Sequence, residues 1–432
     1  MGILETLRNA WKIADLRKKI IYTLFIILLF RVGSSIPVPF INAEALEVYF
    51  SSQGSLLGYL NMLSGNALTE GTIFALTIQP YINASIIIQL LTIAIPALER
   101  LSKDGGEEGR KKINQITRYV TVGIALIQAF GYLVTLKSTA NGVAALTPVA
   151  GFPGFLQQLA IVLVLVAGSC LVMWLGESIN EKGIGNGISM ILFASIVSRG
   201  PAIVMSLVYN IQIGKWYIPI VVLVMALLIL AFIVFMDSAE RRIPIQYAKR
   251  QIGRKMYGGQ STHLPIKVVM TGVMPIIFTF AIISIPATIA QFVPNSGFAE
   301  FVMKYFSQTS PIYIILTFVL IIAFNYFYIS IQYNPVEIAN NIKNNGGTIP
   351  GIRPGKPTSD FIIKTVHKVT LFGALFLGVI AILPFIIQII FPATAGIALG
   401  GTSVLIIVSV SLETVKQLES QMLMRHYKGF LE

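Results

Sequence analysis

Few residues in this sequence are able to do chemistry, and they are scattered. The single cysteine, Cys170, lies inside an apolar run, so no disulfide forms within one chain. The three histidines, His263, His367 and His426, are far apart and lack the spacing of a metal-ligand set. No serine–histidine–aspartate set or carboxylate pair is visible. The sequence therefore predicts neither an enzyme nor a metal site, and it implies no cofactor.

One glycine-rich string raises the question of phosphate binding. Gly183, Gly185 and Gly187 alternate in the segment GIGNG. The string follows no predicted strand and opens an apolar helix, which is the wrong context for a dinucleotide-binding loop. We interpret it as a tight turn, after which Ile188 and Leu192 stand four residues apart on one helix face.

The sequence instead has long apolar stretches. Hydrophobic residues make up 55% of the chain and charged residues 12%, with a mean hydropathy of +0.77. Soluble domains carry about 25% charged residues, and a membrane helix needs about 20 apolar residues. Long runs without two-residue alternation favour helices over a barrel, so we predict an all-α polytopic membrane protein with ten transmembrane helices. The predicted spans are Ile20–Ile36, Ile73–Ile95, Tyr119–Leu136, Leu156–Leu175, Ile184–Tyr209, Ile218–Met236, Val268–Ile289, Ile312–Ile331, Val369–Ile390 and Ala395–Val415.

The basic residues give the predicted orientation. Nearly all of the 32 Lys and Arg residues fall in the two termini and in the loops after the second, fourth, sixth and eighth spans. By the positive-inside rule, both termini are then cytoplasmic. Basic residues before the first apolar run imitate a signal peptide, but no small-residue cleavage site follows cleanly, so we expect a retained first helix.

The second span has two unlike faces. It is predicted to start near Ile73 and to break in the middle at Gln79-Pro80. Ile82 and Ile86 share one face, next to a polar line formed by Ser85, Gln89 and Thr92. The side predicted to face lipid consists of Ala84, Ile87, Ile88, Leu91 and Ile95.

The seventh span repeats this pattern, because Pro275 directly precedes Ile276 and Ile277. Two kinked helices, each second in a run of five spans, suggest an internal duplication with a moving interface. We therefore predict an N-terminal half over residues 1–210 and a C-terminal half over residues 211–432.

Three segments between the spans carry further predictions. Leu60–Leu68 is too short to span and too apolar for an ordinary loop, so we expect it to fold back into the membrane body. The loop over residues 237–267 is rich in Arg and Lys and either hugs the membrane or docks an acidic or nucleic-acid partner. In the loop over residues 332–368, glycines and prolines hold Arg353 at a defined tip.

Several long motifs in this chain resemble the SecY family, the central subunits of bacterial protein-translocating channels. They are LNMLSGNAL, PYINASIIIQLL, GIGNGIS, AERRIPIQYAKR, YNPVEIANNIKNNGGTIPGIRPG and GGTSVLIIV. The resemblance implies two inverted five-helix halves around a central pore, hinged between spans five and six. Unfolded polypeptide would pass between the halves, and apolar segments would leave sideways into lipid.

The resemblance also implies roles for individual residues. The pore ring would consist of Ile82, Ile86, Ile188, Leu192, Ile277 and Ile406. The external plug would be Leu60, Asn61, Met62, Leu63, Ser64, Gly65, Asn66, Ala67 and Leu68. Spans two and seven would form the lateral gate, with Ser85, Gln89, Thr92, Thr271 and Pro275. Partners would dock at Lys249, Arg250, Arg254, Lys255 and Arg353.

The implied partners are SecE-like and SecG-like small membrane subunits, a SecA-type motor ATPase, the ribosome, signal peptides, unfolded precursor polypeptides and membrane lipid. The implied location is the bacterial cell membrane, with both termini cytoplasmic. The chain departs from the family in span seven, where Val268, Val269 and Met270 precede Gly272 without the amide that the family often carries. We expect an altered gate polarity from this departure.

A secondary transporter for a small solute is the alternative, since such proteins also use broken helices and inverted repeats. A transporter should carry ionisable residues near the middle of the membrane. Here Arg31 and Arg199 lie near the ends of predicted spans, and no Asp, Glu or Lys lies deep in one. The sequence thus favours the channel.

Overall fold

The computed structural model of this chain describes residues 3–46, 64–103, 105–137, 145–147, 153–247, 250–252, 255–257, 261–293, 296–307, 310–390 and 401–428. The helices are α1 Ile3–Lys12, α2 Ala14–Gly33, α3 Gln79–Ala94, α4 Pro96–Lys103, α5 Gly106–Lys137, α6 Gly154–Lys182, α7 Gly187–Val197, α8 Gly200–Gln212, α9 Tyr217–Ser238, α10 Met274–Phe292, α11 Gly297–Tyr305, α12 Pro311–Gln332, α13 Pro335–Asn344, α14 Lys356–Ile390 and α15 Gly401–Lys428. The strands are β1 Glu240–Tyr247, β2 Arg250–Ile252, β3 Lys255–Tyr257, β4 Ser261–Lys267 and β5 Gly347–Thr348.

The helical architecture agrees with the predicted fold class, and each of the ten predicted spans overlaps a helix. Among the described residues, six helical stretches are long and apolar enough to cross a membrane, and these include the consecutive helix pairs α7–α8 and α12–α13. A seventh candidate is the pair α3 and α4, which bends by 105°. The fifth predicted span contains the α7–α8 pair, which together form one 26-residue candidate span despite the break at Arg199.

The predicted mid-helix kink in span two is wrong. Residues 73–78 form turns, and α3 begins only at Gln79, with Pro80 in its first turn. In the same way, α10 begins at Met274 with Pro275 in its first turn, so this proline does not kink span seven either. Proline suits the first helical turn because the N–H it lacks would have no partner there. Both prolines therefore set where a helix starts.

The predicted lipid-facing side of span two is only partly correct. Ile87, Leu91 and Ile95 are exposed, as expected. Ala84 and Ile88 are instead buried, at 0% and 3% exposure. Helix α5 packs along α3, and Ile88 lines an internal cavity, so less of α3 is free to face lipid than predicted.

A small sheet joins two loops that are far apart in sequence. β1 pairs with β4 in antiparallel register, from Glu240 opposite Lys267 to Gln246 opposite Ser261. β5, from the loop before α14, adds to the other edge of β1. The buried side chains of Ile243, Ile245 and Ile266 pack against α12, α13 and α14. The base of the basic loop is therefore anchored, a feature that the all-α prediction did not contain.

The two predicted halves meet along two lines. On one side α10 packs against α3 and α5, and on the other α15 packs against α7 and α1. One large apolar cluster runs through the middle and takes side chains from both halves. This cluster is the part of the core that positions the candidate site.

Candidate functional site

Six predicted aliphatic side chains come together in the central cluster. They lie on α3, α7, α10 and α15, which belong to both halves of the chain. Five of the six are at most 7% exposed, and the sixth, Ile188, is partly buried against the same cluster. The six are Ile82, Ile86, Ile188, Leu192, Ile277 and Ile406.

Helix starts position these side chains. Ile82 and Ile277 each follow a first-turn proline by two residues, at matching places in α3 and α10. At the start of α7, the Asn186 side chain accepts hydrogen bonds from the backbone N–H groups of Ile188 and Ser189, at 3.0 and 3.4 Å. An asparagine cap of this kind fixes the first turn of a helix. The aliphatic cluster is thus built from the first two turns of several helices.

Close backbone packing brings α7 into place. A Cβ atom on Gly187 would overlap the carbonyl oxygen of Gly176 in α6, so no larger residue fits there without a shift. The Gly187 N–H donates to Asn180 Oδ1 at 2.7 Å. These contacts explain the glycine-rich turn and agree with its interpretation as structural.

A cavity of about 440 Å³ borders the aliphatic cluster between α3, α5, α10 and α12. Ile82, Ile188 and Ile277 form part of its wall. The predicted polar line of α3, Ser85, Gln89 and Thr92, lines the same cavity. Facing residues from the other helices include Asn114, Phe278 and Gln332. The cavity is therefore both apolar and amide-lined, as the two-faced second span predicts.

The contact between α3 and α10 includes a polar link. Gln79 Nε2 donates to Ser284 Oγ at 3.3 Å. Pro275 lies in the first turn of α10, beside the cavity residue Met274.

Thr271 does not line the cavity that Ser85, Gln89 and Thr92 line. It precedes α10, is 5% exposed, and donates to Asn325 Oδ1 of α12 at 2.6 Å. Asn325 in turn donates to the Thr370 carbonyl of α14 at 3.2 Å. A buried hydroxyl needs a partner, and here the partner lies in the C-terminal half, so Thr271 anchors the segment before α10.

A second, polar cavity of about 620 Å³ lies beside the start of α10 and was not predicted. It contains charged residues from three elements: Asp237, Lys267, Glu413 and Lys416. Lys416 and Asp237 form an ion pair at 2.7 Å. Burial, and then the neighbouring Lys416, lowers the pKa of Lys267 below its usual range. Sequence reading missed this cluster because its members are far apart in the chain.

The described part of the predicted plug folds back into the protein. Ser64, Gly65, Ala67 and Leu68 are buried, Asn66 is half-buried, and Leu60–Leu63 lie outside the described residues. A Cβ atom on Gly65 would lie 2.8 Å from the Ser195 carbonyl oxygen, one turn beyond Leu192 in α7. Tyr132 donates its hydroxyl to the Leu68 carbonyl at 2.7 Å. The expected burial of this segment is thus seen in its second half.

The predicted docking residues are described only in part. Lys249 and Arg254 lie outside the described residues, and Arg250 and Lys255 lie in β2 and β3 without described side chains. Arg353 is exposed between β5 and α14, and its carbonyl accepts a 2.9 Å bond from Thr358 Oγ1. Because β5 pairs with β1, the two predicted docking loops are parts of one unit.

A clasp between the chain ends was also not predicted. We use this name for α1 together with the part of α15 after Val415. Thr6 Oγ1 donates to Glu419 Oε1 at 2.8 Å, and the Gly185 N–H donates to Gln417 Oε1 at 2.7 Å. A small apolar cluster of its own, Ala10, Leu16, Ile184 and Leu418, supports these bonds. Thr6 and Glu419 are 413 residues apart in the sequence, so no local pattern predicts this contact.

Comparisons with known proteins agree with this geometry. A model of the SecY family matches residues 72–415. "Protein translocase subunit SecY" of Streptomyces galbus is 43% identical over 99% of this chain and 100% of its own length. The protein of the same name from Halalkalibacterium halodurans is 44% identical over 99% of this chain and 100% of its own.

Solved structures share the fold at low sequence identity. One, described as "The structure of a protein conducting channel", has a TM-score of 0.67 at 19% identity and covers 94% of this chain and 92% of its own. Another, "Sec61 in the Canine ribosome-channel complex from the endoplasmic reticulum", has a TM-score of 0.62 at 17% identity, with the same coverage.

Proposed function

This chain belongs to the SecY family, and we infer from this that it is the channel subunit of a protein translocase. It conducts unfolded polypeptides across a membrane. The main observation that supports this function concerns six aliphatic side chains from both halves. They lie in or against one apolar cluster, beside a partly polar cavity. The comparisons give no support to the small-solute transporter alternative.

An aliphatic ring suits a pore that must pass any sequence. Ile and Leu side chains offer no hydrogen bond to a passing chain, so none of its residues is held. When no chain is present, a constriction of such side chains excludes water and ions by dewetting. Ile82, Ile86, Ile188, Leu192, Ile277 and Ile406 form this ring in our proposal. The channel itself catalyses no reaction, and the driving energy comes from its partners.

Apolar segments leave between α3 and α10 in this proposal. Each Leu or Ile gains roughly 0.3–0.6 kcal/mol on entering the membrane, whereas a charged residue costs roughly 2.5–3.5 kcal/mol. Roughly four to twelve such residues offset one charge, so lipid partitioning sorts the segments once the gate opens. The cavity lined by Ser85, Gln89 and Thr92 supports a passage at this place.

The segment Leu60–Leu68 acts as the plug of the resting channel. Support comes from the buried contacts of Gly65 and Leu68 with α7 and α5. A solved structure of similar fold, with a TM-score of 0.65, is described as showing that the plug domain of SecY stabilises the closed state and maintains a membrane seal.

Both termini lie in the cytoplasm of a bacterial cell, and the chain resides in its plasma membrane. The bond between Thr6 and Glu419 supports a common side for the two chain ends, and the distribution of basic residues supports the cytoplasmic side. SecE-like and SecG-like subunits complete the complex in the bilayer.

A SecA-type motor or the ribosome docks at the basic loops. Lys249, Arg250, Arg254, Lys255 and Arg353 supply positive charge to this surface. The pairing of β5 with β1 supports joint action of the two loops, because the shared sheet couples a displacement of one loop to the other.

Reconstitution tests the function directly. The full chain, with its small subunits, is placed in proteoliposomes with a motor ATPase, ATP and a precursor that carries a signal peptide. We expect precursor inside the vesicles, protected from added protease, only when the chain and ATP are both present. Equal protection in vesicles without the chain, or none with a correctly inserted chain, would refute the assignment.

Reversing the charge at the loop tip tests docking. Arg353→Glu is expected to lower the yield of motor-driven translocation several-fold, because it places negative charge where the partner meets positive charge. Lys215→Glu is the control, since Lys215 is exposed in the loop between α8 and α9. Equal yields from both variants would argue against docking at Arg353.

A further inference from the structure

The short helix α11, Gly297–Tyr305, folds back against the end of α10 and presents three different faces. Ala299 and Val302 are buried, at 3% and 0% exposure, and pack with Ala290 of α10. Phe298 and Phe301 are exposed, at 42% and 50%. Glu300 and Lys304, four residues apart, form a charged third face.

The exposed phenylalanines extend an apolar stripe of α10. On that helix Ile285, Ile289 and Phe292 are exposed at one-turn spacing. Ile285 and Ile289 belong to the predicted seventh span, so we expect lipid around them. Phe298 and Phe301 lie in α11, which begins at Gly297 and packs on Ala290 of α10. The apolar surface therefore does not stop where α10 stops.

A capping residue and contacts between side chains stabilise α11. Ser296 caps it by accepting a 3.2 Å bond from the Ala299 N–H. The rings of Phe301 and Tyr305 lie 4.8 Å apart, and Lys304 Nζ lies 5.4 Å from the centre of the Tyr305 ring. Aromatic rings beside a cation are typical of the membrane–water boundary, where one end of the group is wet and the other apolar.

We propose that α11 is an interfacial helix that inserts Phe298 and Phe301 into the headgroup–acyl boundary of the bilayer. Its charged face, Glu300 and Lys304, points to water, as in other amphipathic helices that lie on membranes. Because Ala299 and Val302 hold α11 against α10, this insertion ties the end of α10 to a fixed membrane depth. The occupant of the exposed face is lipid, since the face continues a lipid-facing stripe.

Spin labels at single cysteines test the proposal in the full chain. Cys170→Ser removes the natural thiol, and Phe298→Cys, Phe301→Cys, Glu300→Cys and Ile289→Cys each add one label site. The chain is reconstituted in lipid nanodiscs, and each label is probed with oxygen, which concentrates in lipid, and with a water-soluble nickel chelate. All four positions are exposed, so a label at each leaves the packed face of its helix intact.

We expect positions 298 and 301 to match the lipid-facing reference at 289, with high oxygen and low nickel accessibility. Position 300 should show the opposite ratio. Nickel accessibility at 298 and 301 equal to that at 300 would overturn the proposal, because the helix would then project into water. Low accessibility to both reagents at 298 and 301 would also overturn it, because protein and not lipid would cover the face.

Discussion

Gly187 shows how one residue controls the candidate site. It opens α7, whose Ile188 and Leu192 belong to the aliphatic cluster, and it touches the backbone of α6. Gly→Ala here forces α6 and α7 apart, and overpacking of this kind typically costs about 1–3 kcal/mol. We therefore expect Gly187→Ala to lower the thermal midpoint and the folded yield of the purified chain.

Gly123 in α5 provides the matched control for this substitution. A Cβ atom there meets nothing within 4 Å, and alanine is a better helix former than glycine by up to about 1 kcal/mol. Gly123→Ala should leave the thermal midpoint unchanged or raise it slightly. A Gly187→Ala chain as stable as the Gly123→Ala chain would show that the close approach of α7 to α6 does not contribute to the stability of the fold.

The coupling free energy between Thr271 and Asn325 can be measured with a double-mutant cycle. Their bond joins the segment before α10 to α12 within a buried setting. Double-mutant cycles in membrane proteins give about 0.6 kcal/mol for such bonds on average, and at most about 1.7 kcal/mol. We expect Thr271→Val and Asn325→Leu, singly and together, to give a coupling of this size in unfolding experiments. Purely additive effects would contradict the assigned role.

The six aliphatic residues lie in or against the central cluster, whereas the partners of the polar residues were not predicted. Ile82, Ile188 and Ile406 stand in recognisable motifs, and burial in a cluster follows from their chemistry. The partner of Thr271 depends on which helices lie side by side, and no local pattern contains this information. The roles of the six ring residues, the plug and the gate residues remain predictions.

At the scale of elements, the interpretation of the two prolines as mid-helix kinks was wrong. Pro80 and Pro275 each stand in a long apolar run, where a kink and a helix start leave the same pattern in the sequence. Tertiary contacts decide between them: residues 73–78 form turns, and a new helix begins after them. The small sheet was missed for a related reason, since β5 lies about a hundred residues from β1 and only two residues of it pair.

The hydrogen bond between Gln79 and Ser284 allows a test of whether the contact of α3 and α10 acts as the gate. A bond of about 0.6 kcal/mol equals the insertion gain of roughly one or two leucines. Ser284→Ala removes this bond and so weakens the contact between α3 and α10 in the closed channel. A test segment of the translocated polypeptide should then enter the bilayer with one or two fewer leucines. The measurement is the number of leucines at half-maximal insertion in a graded series of segments.

Ser411→Ala is the control for this shift, because Ser411 is exposed and donates to the Ile407 carbonyl of its own helix. An unchanged threshold for Ser284→Ala, or one that rises, would speak against a gate between α3 and α10.

At the scale of the whole molecule, the two halves are joined differently on their two sides. The clasp side has its own apolar cluster and bonds from α1 and the α6–α7 turn to α15. The contact of α3 and α10 carries the Gln79–Ser284 bond. The smaller cavity borders these two helices, and the larger polar cavity borders the clasp side at Gly185 and Gln417. Because the clasp has its own apolar cluster and bonds, a channel that opens sideways should part between α3 and α10 and stay closed at the clasp.

Two covalent links distinguish these sides. In a Cys170→Ser background, one variant carries Thr6→Cys with Glu419→Cys, and the other carries Gln79→Cys with Ser284→Cys. A short bis-maleimide joins each pair, and reconstituted chains are scored for precursor translocation and for membrane insertion of an apolar segment. We expect the clasp link to preserve both activities, because no separation is needed there, and the gate link to abolish insertion. Single-cysteine variants treated with the same reagent correct for modification alone. If the clasp link blocks insertion as completely as the gate link, the halves must separate on both sides, and a hinged opening is wrong.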